Sequence, residues 1–318
     1  MKDLSIIIPS NSEIFLSKTI EDILEHIEAD TEIIAVLDGR WAKPAIPQND
    51  RVNIIYVPKS IGQRASTNIG VKLSRAKYVM KVDAHCSFDQ GFDRKMIEGF
   101  EKVGDNVTMV SIMRNLHAFD WKCYHCGWKK YQGPTPLKCE SCGKSDKVRK
   151  KMMWIGKSNP QSKSYAFDTE PHFQYNGEYC NRPEYKEALK TGFTETMSLQ
   201  GSAFMSTREN YWKWELCDET LGNWGNQGIE VALATWLNGG RVLVNHNTWY
   251  AHMFRTQGGD FSFPWHGIKG QSTDKTKLNV KNKYWKNPKL PDLIRKFMPV
   301  SNWNEESISI LQEQENVL

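Results

Sequence analysis

The chain has 318 residues, 39% hydrophobic and 25% charged, with a formal net charge of +5. That length can bury a full core in one large domain or two smaller ones, and the composition is that of a soluble globular protein. The charge is too small to mark a nucleic-acid binder by itself, and no stretch approaches the roughly 18–20 apolar residues of a membrane span.

The N-terminal apolar run, Leu4 to Ile8, is short, β-branched and closed by Pro9. It reads as a buried parallel strand rather than a signal peptide, and a cytoplasmic protein is expected. Residues 16–28 carry Leu16, Ile20, Ile23, Leu24 and Ile27 at helical spacing. Ile33 to Leu37 and Val52 to Val57 are the next strands, 63–75 the next helix, and Tyr78 to Val82 the fourth strand. This order predicts an α/β fold with a mostly parallel sheet flanked by helices. In such sheets ligands bind beyond the carboxyl ends of the strands. Ser10, Asn11, Asp38, Asp83 and His85 all fall there, although each is also a common loop residue. A helix over 92–103 and a strand from Val107 to Met113 follow. Beyond a polar stretch near 156–190, strand or helix signals resume at 198–206, 230–237 and 241–244. The tail after Pro299 reads as a loosely held helix.

Between these halves lies a different composition. Cys123, Cys126, Cys139 and Cys142 form two CxxC pairs, each followed by a glycine that lets backbone N–H groups turn towards the thiolates. Four thiolates at this spacing suit tetrahedral Zn²⁺ and leave no open position, so the metal is expected to be structural. A module this small cannot build a core alone, so zinc is expected to supply its folding energy. Lys122, Lys129, Lys130, Lys138, Lys144, Lys147, Arg149, Lys150 and Lys151 surround it, interleaved with Trp121, Trp128 and Tyr131. That mixture suits nucleic-acid contacts, or is simply a solvated basic surface on a structural clip.

Asp83-Ala84-His85 leaves the fourth strand with a carboxylate and an imidazole two residues apart. Oxygen plus imidazole ligation suits Mn²⁺, or Mg²⁺, at a diphosphate leaving group. Residues 62–70 (GQRASTNIG) and 76–86 (AKYVMKVDAHC) resemble the donor-site half of family-2 glycosyltransferases. The Asp-Ala-His-Cys form is similar to that of the polypeptide N-acetylgalactosaminyltransferases, which have the GT-A fold. Further on, 224–230 (WGNQGIE) resembles their Trp-Gly-Gly-Glu-Asn-Leu-Glu segment, and Gly239-Gly240 follows at the matching distance. His252-Met253-Phe254-Arg255 resembles their His-Val-Phe-Arg, and 261–264 resembles the start of their mobile catalytic loop. The resemblance covers roughly residues 4–115 and 195–285.

It implies a metal-dependent glycosyltransferase using a UDP-sugar. Asp83, His85 and His252 would bind the metal. Asp38 would contact the uracil or ribose, with Pro9 and Asn11 lining that pocket and Asn68 nearby. Arg64 and Arg255 would approach the diphosphate, where leaving-group departure builds charge. Gln227 stands where the family has a Glu and cannot act as a base. Glu230 is therefore the candidate catalytic or acceptor-orienting carboxylate, with Asp218 and Glu219 as alternates. The resemblance favours a retaining transfer. The family's lectin domain is missing and the zinc insert is not typical of it.

The expected organisation is a nucleotide-sugar-binding half (1–118), a zinc-ribbon insertion (119–151), an acceptor-binding half (152–298) and a tail (299–318). The acceptor is a hydroxyl. A hydroxylated base in viral DNA is one reading, and protein, polysaccharide or a small molecule are others. A nucleotidyl- or sugar-phosphate transferase would show a glycine- and lysine-rich loop after the first strand, which Pro9-Ser10-Asn11-Ser12 is not. The non-enzyme alternative is a zinc-ribbon nucleic-acid-binding protein whose α/β domain has lost activity, and Gln227 is its best support.

Overall fold

The computed structural model describes residues 2–254 and 273–313. The first half alternates as the apolar runs require: β1 (Leu4–Ser10), α1 (Leu16–His26), β2 (Thr31–Asp38), β3 (Val52–Val57), α2 (Gln63–Leu73), β4 (Tyr78–Val82), β5 (Cys86–Phe88) and α3 (Phe92–Val103). The central strands are apolar on both faces because helices and loops cover both. Every residue of β1 and β4 is buried, whereas edge strand β3 exposes Ile54 and Tyr56. Helix α2 settles on this sheet through Gly70, where a Cβ would stand 2.4 Å from Ile7 Cγ2.

The chain then runs through β6 (Val107–Cys123), β7 (Lys129–Tyr131), β8 (Val148–Ser162), β9 (Tyr165–Phe167), β10 (Phe173–Tyr175), α4 (Pro183–Leu189), β11 (Phe193–Glu195), β12 (Ala203–Thr207), α5 (Arg208–Lys213), α6 (Gln227–Leu237) and β13 (Arg241–His252). Helices α7 (Thr273–Tyr284), α8 (Leu290–Phe297) and α9 (Glu305–Glu313) close it. The main sheet has the order β11-β13-β6-β12-β4-β1-β2-β3. β1, β2, β3 and β4 pair in parallel, β12 is antiparallel to β4, and β13 is parallel to β6. The strand order reverses between β1 and β4, the switch point at which sheets of this type bind ligands.

Three expectations change. The strand expected over 107–113 runs on to Cys123, so the expected boundary at 118/119 falls within one strand. β6, β7 and β8 form a ribbon that carries the cysteines at its far end. Its base is not coreless: Phe119, Trp121, Cys123, Cys139 and Val148 share a buried cluster with Phe15, Ala251 and Met253. The tail is also held, because Trp303, Ile308 and Leu311 are buried against the helical face of the main core. Among the described residues no helix is long and apolar enough to cross a membrane.

Candidate active site and zinc module

A cavity of about 320 Å³ opens at the switch point. Its walls include Pro9, Ser10 and Asn11 from the end of β1, and Asp83, Ala84 and His85 from the end of β4. Gln200 to Ser202 precede β12, Trp224 to Ile229 form the loop and first turn of α6, and His252 and Phe254 end β13. The α6 wall can come this close only because Gly228 has no side chain. A Cβ there would lie 1.9 Å from the Leu199 carbonyl oxygen.

Asp83, His85 and His252 converge on one side of this cavity, with one ligating atom from each within 4.8 Å of the others. The two Nε2 atoms are 3.0 Å apart, and His252 Nε2 is 3.5 Å from Asp83 Oδ2. Burial pushes the His252 imidazole down to about 4, against the pull of Asp83, and so keeps it neutral with a lone pair to offer. Burial works against charge on Asp83, but Lys81 and the two imidazoles outweigh it and hold the carboxyl well below the usual range. A carboxylate oxygen and two imidazole nitrogens meeting at one point form a donor set suited to a first-row divalent ion.

The supporting contacts were not evident from sequence. Lys81 Nζ, on β4, donates to Asp83 Oδ1 and to the Gly201 carbonyl, the latter at 2.7 Å. That leaves Oδ2 turned towards the imidazoles. Glu13 Oε2 lies 3.2 Å from His85 Nδ1 and fixes the ring with Nε2 facing the cluster. Gln63 donates to Asp83 Oδ1 at 3.3 Å. Lys81 did carry a signal: a lysine inside a strand buried on both faces requires a partner charge. Glu13 carried none, being one more polar residue in a loop.

Four assignments are corrected. Arg64 does not reach the cavity. Its guanidinium is buried, pairs with Glu230 at 2.7 Å and donates to the carbonyls of Gly222 and Gly225 at 2.8 and 2.6 Å. Glu230 is equally buried. It accepts from Arg64 and from the Asp218 amide, so it is a strut of the fold rather than a base. Asp38 accepts from Ser60 Oγ and the amides of Ile61 and Gly62, and its carboxylate is spent on shaping that loop. Asn68 bonds Tyr211, Glu219 and the Cys217 carbonyl, again away from the cavity. The alternates Asp218 and Glu219 do not line it either, and Asp218 is paired with Lys283. Pro9, Asn11 and Gln227 do line it. The Gln227 amide nitrogen donates to Cys217 Sγ, while its oxygen is buried without a partner. Arg255 and residues 261–264 lie outside the described residues.

At the tip of the ribbon the four sulfurs also form one cluster. Cys123 and Cys142 Sγ are 3.7 Å apart, and Cys126 and Cys139 Sγ are 3.6 Å apart. A tetrahedron with metal–sulfur bonds of about 2.3 Å has edges of about 3.8 Å, so the sulfurs already stand close to zinc-binding positions. The two knuckles match. Gly127 and Gly143 have positive φ (79° and 73°), and their amides bond back to the carbonyls of Cys123 and Cys139, both at 2.9 Å. The backbone amide of Trp128 draws the Cys126 thiol down to about 6, which favours the thiolate.

Residues 5–138 match the family model described as glycosyl transferase family 2. A putative polypeptide N-acetylgalactosaminyltransferase 13 of Drosophila melanogaster is 23% identical over 257 residues, covering 78% of this chain and 39% of that protein. Among solved structures, GalNAc-T7 with UDP, GalNAc and Mn²⁺ superposes with a TM-score of 0.67 at 15% identity, over 99% of this chain and 55% of that one. The fold is therefore the GT-A-like fold expected. The chain spans only about two fifths to just over half the length of these relatives.

Proposed function

We propose that this glycosyl transferase family 2 domain is a metal-dependent glycosyltransferase that moves a sugar from a UDP-sugar to a hydroxyl acceptor. The observation that carries the reading is the convergence of Asp83, His85 and His252 on the cavity at the β1/β4 switch point. Those three residues would hold Mn²⁺ or Mg²⁺. When bound, the ion supplies positive charge to a departing diphosphate. Around it, Glu13 and Lys81 keep the ligands aimed, and Pro9 to Asn11 and Gln227 shape the pocket for the donor. Among the described residues the carboxylates lining the cavity are Asp83 and Glu13, and both are engaged. That supports a retaining, front-face transfer, in which the acceptor proton passes to the leaving phosphate rather than to a side-chain base. The four cysteines would hold a structural Zn²⁺.

The acceptor we propose is a large anionic one, with a hydroxylated nucleic-acid base as the specific reading. The lysine-rich ribbon supports it, because it concentrates nine basic against three acidic residues in 119–151 of a chain whose net charge is only +5. Hydrolysis of a panel of UDP-sugars with Mn²⁺ tests the donor half. One of them should be turned over, and Asp83→Ala should abolish that turnover. Turnover that persists in Asp83→Ala, or after metal is stripped, rules the metal site out.

A further inference from the structure

We propose that one face of the β6–β7–β8 ribbon, continuous with an aromatic groove at the mouth of the catalytic cavity, is a binding track for a single nucleic-acid strand. This rests on the glycosyltransferase reading only for its purpose; the binding itself stands on the ribbon.

The register defines the track. Lys122 pairs laterally with Lys129 on one side and Arg149 on the other. Laterally paired residues point to the same face of a sheet, so three cations stand abreast in one row. Two residues along, on the same face, Asp120 lies between Tyr131 and Lys151. The intervening row, Lys130-Trp121-Lys150, points the other way, and Trp121 is buried there. Like charges set directly opposite one another destabilise a sheet. Asp120 is the acid on this face, but it is already bound to His117 at 2.7 Å. A row of three cations is a poor choice for a structural clip and a good one for a phosphate backbone.

Aromatic rings accompany the charges. Lys122 Nζ lies 5.0 Å from the Tyr124 ring centroid, and Lys157 Nζ lies 4.4 Å from that of Tyr131. Both rings are exposed, at 59% and 44%. Tyr131 also begins a groove of about 320 Å³ with Asn115, Gln132, Tyr175 and Phe254. Phe254 is shared with the catalytic cavity, so the groove leads from the basic face to the site of transfer. Its lining is uncharged: rings for stacking, the Asn115 amide, and Gln132, whose oxygen already accepts from the Ala118 amide at 2.9 Å. Cations along a backbone path, with exposed rings beside them, are how strands are held without a duplex. A sulfated polysaccharide could use the same cations, and it is an outcome of the test below.

The test uses the full zinc-loaded chain and a fluorescent 20-nucleotide single-stranded DNA, with anisotropy read from 50 to 200 mM salt. The wild type should bind with a log–log salt slope of at least about 2, at roughly 0.7 per phosphate contacted. Lys129→Glu with Arg149→Glu should weaken binding at least tenfold and flatten the slope. Tyr131→Ala should weaken it several-fold with the slope unchanged. Zinc content and UDP-sugar hydrolysis, measured on the same preparations, should not move. Binding unaffected by the charge pair overturns the track. Competition by heparin at equal charge, together with an unaffected Tyr131→Ala, overturns nucleic acid as the occupant. Strand binding without any sugar-nucleotide turnover leaves the track standing and sinks the enzymatic reading instead.

Discussion

Replacing Glu230 with glutamine keeps the shape of the side chain and removes its charge. Arg64 would then hold an uncompensated guanidinium in a site closed to water, with neutral acceptors alone around it. Breaking one side of a buried pair costs about 3–5 kcal/mol, because the desolvation of the surviving charge is no longer offset. At about 1.4 kcal/mol per factor of ten, that is a hundred-fold to several-thousand-fold loss in the folding equilibrium. Removing both charges with apolar residues of similar volume, Arg64→Met with Glu230→Leu, should recover part of the loss. What remains is the two glycine carbonyls and the Asp218 amide without their partners, at about 1 kcal/mol each. Urea unfolding of the wild type, Arg64→Met, Glu230→Leu and the double variant closes the cycle, and a coupling of at least about 2 kcal/mol is expected for groups 2.7 Å apart and buried. If Glu230→Gln unfolds like the wild type yet loses sugar transfer, the carboxylate is chemical rather than structural, and our reading of it is wrong.

Four further outcomes are expected. His252→Ala should remove Mn²⁺-dependent turnover by at least about a hundred-fold while leaving the urea midpoint close to that of the wild type, because metal-site loss acts on the transition state. Cys126→Ser should lower zinc from one ion per chain and open the ribbon to protease, as read by metal analysis and limited digestion; full zinc content in that variant counts against a four-thiolate site. Gly228→Ala, with its Cβ forced to 1.9 Å from the Leu199 carbonyl, should cost about 3 kcal/mol or yield insoluble protein. His246, bonded to Thr194 at 2.7 Å, has its imidazole pushed by burial down to about 4. The folded state therefore binds its proton less readily than the unfolded chain. The stability it contributes should be complete above about pH 6.5 and should fall by about 2–3 kcal/mol as pH drops to 4. A His246→Asn variant with the same acid profile would remove that assignment.

The sheet was legible because its strands are buried on both faces and so appear as unbroken apolar runs, from Leu4 to Ile8 and from Ile33 to Leu37. The convergence of Asp83, His85 and His252 was legible for a different reason: the family resemblance named all three positions, which no local pattern would have joined. What sequence could not supply was the direction in which polar side chains turn. Arg64 and Asn68 sit within a donor-site motif and Asp38 ends β2, yet each is consumed by a loop or carbonyl that only the folded chain brings near. Arg64 and Glu230 are 166 positions apart. Local pattern cannot reveal such a pairing, nor that it spends the one carboxylate the motif seemed to leave for catalysis. The extension of β6 was hidden by composition, because lysines and cysteines replace the apolar alternation while the backbone keeps its pairing.

That extension has a mechanical consequence. His252 sits opposite Asn115 in β6, and Cys123 lies eight residues further along the same strand. The thiolate cluster and His252 are thus at two stations of one strand, at most about 26 Å apart at 3.3 Å per residue. The pairing with β8 shifts register between His117 and Phe119, which bends the ribbon there without breaking the strand. A polymer gripped at the far end would be offered to the sugar at a fixed offset, so the enzyme would measure along its acceptor like a ruler. Oxidation or chelation at the tip would slacken that ruler first and blur where the sugar lands before it stops the chemistry.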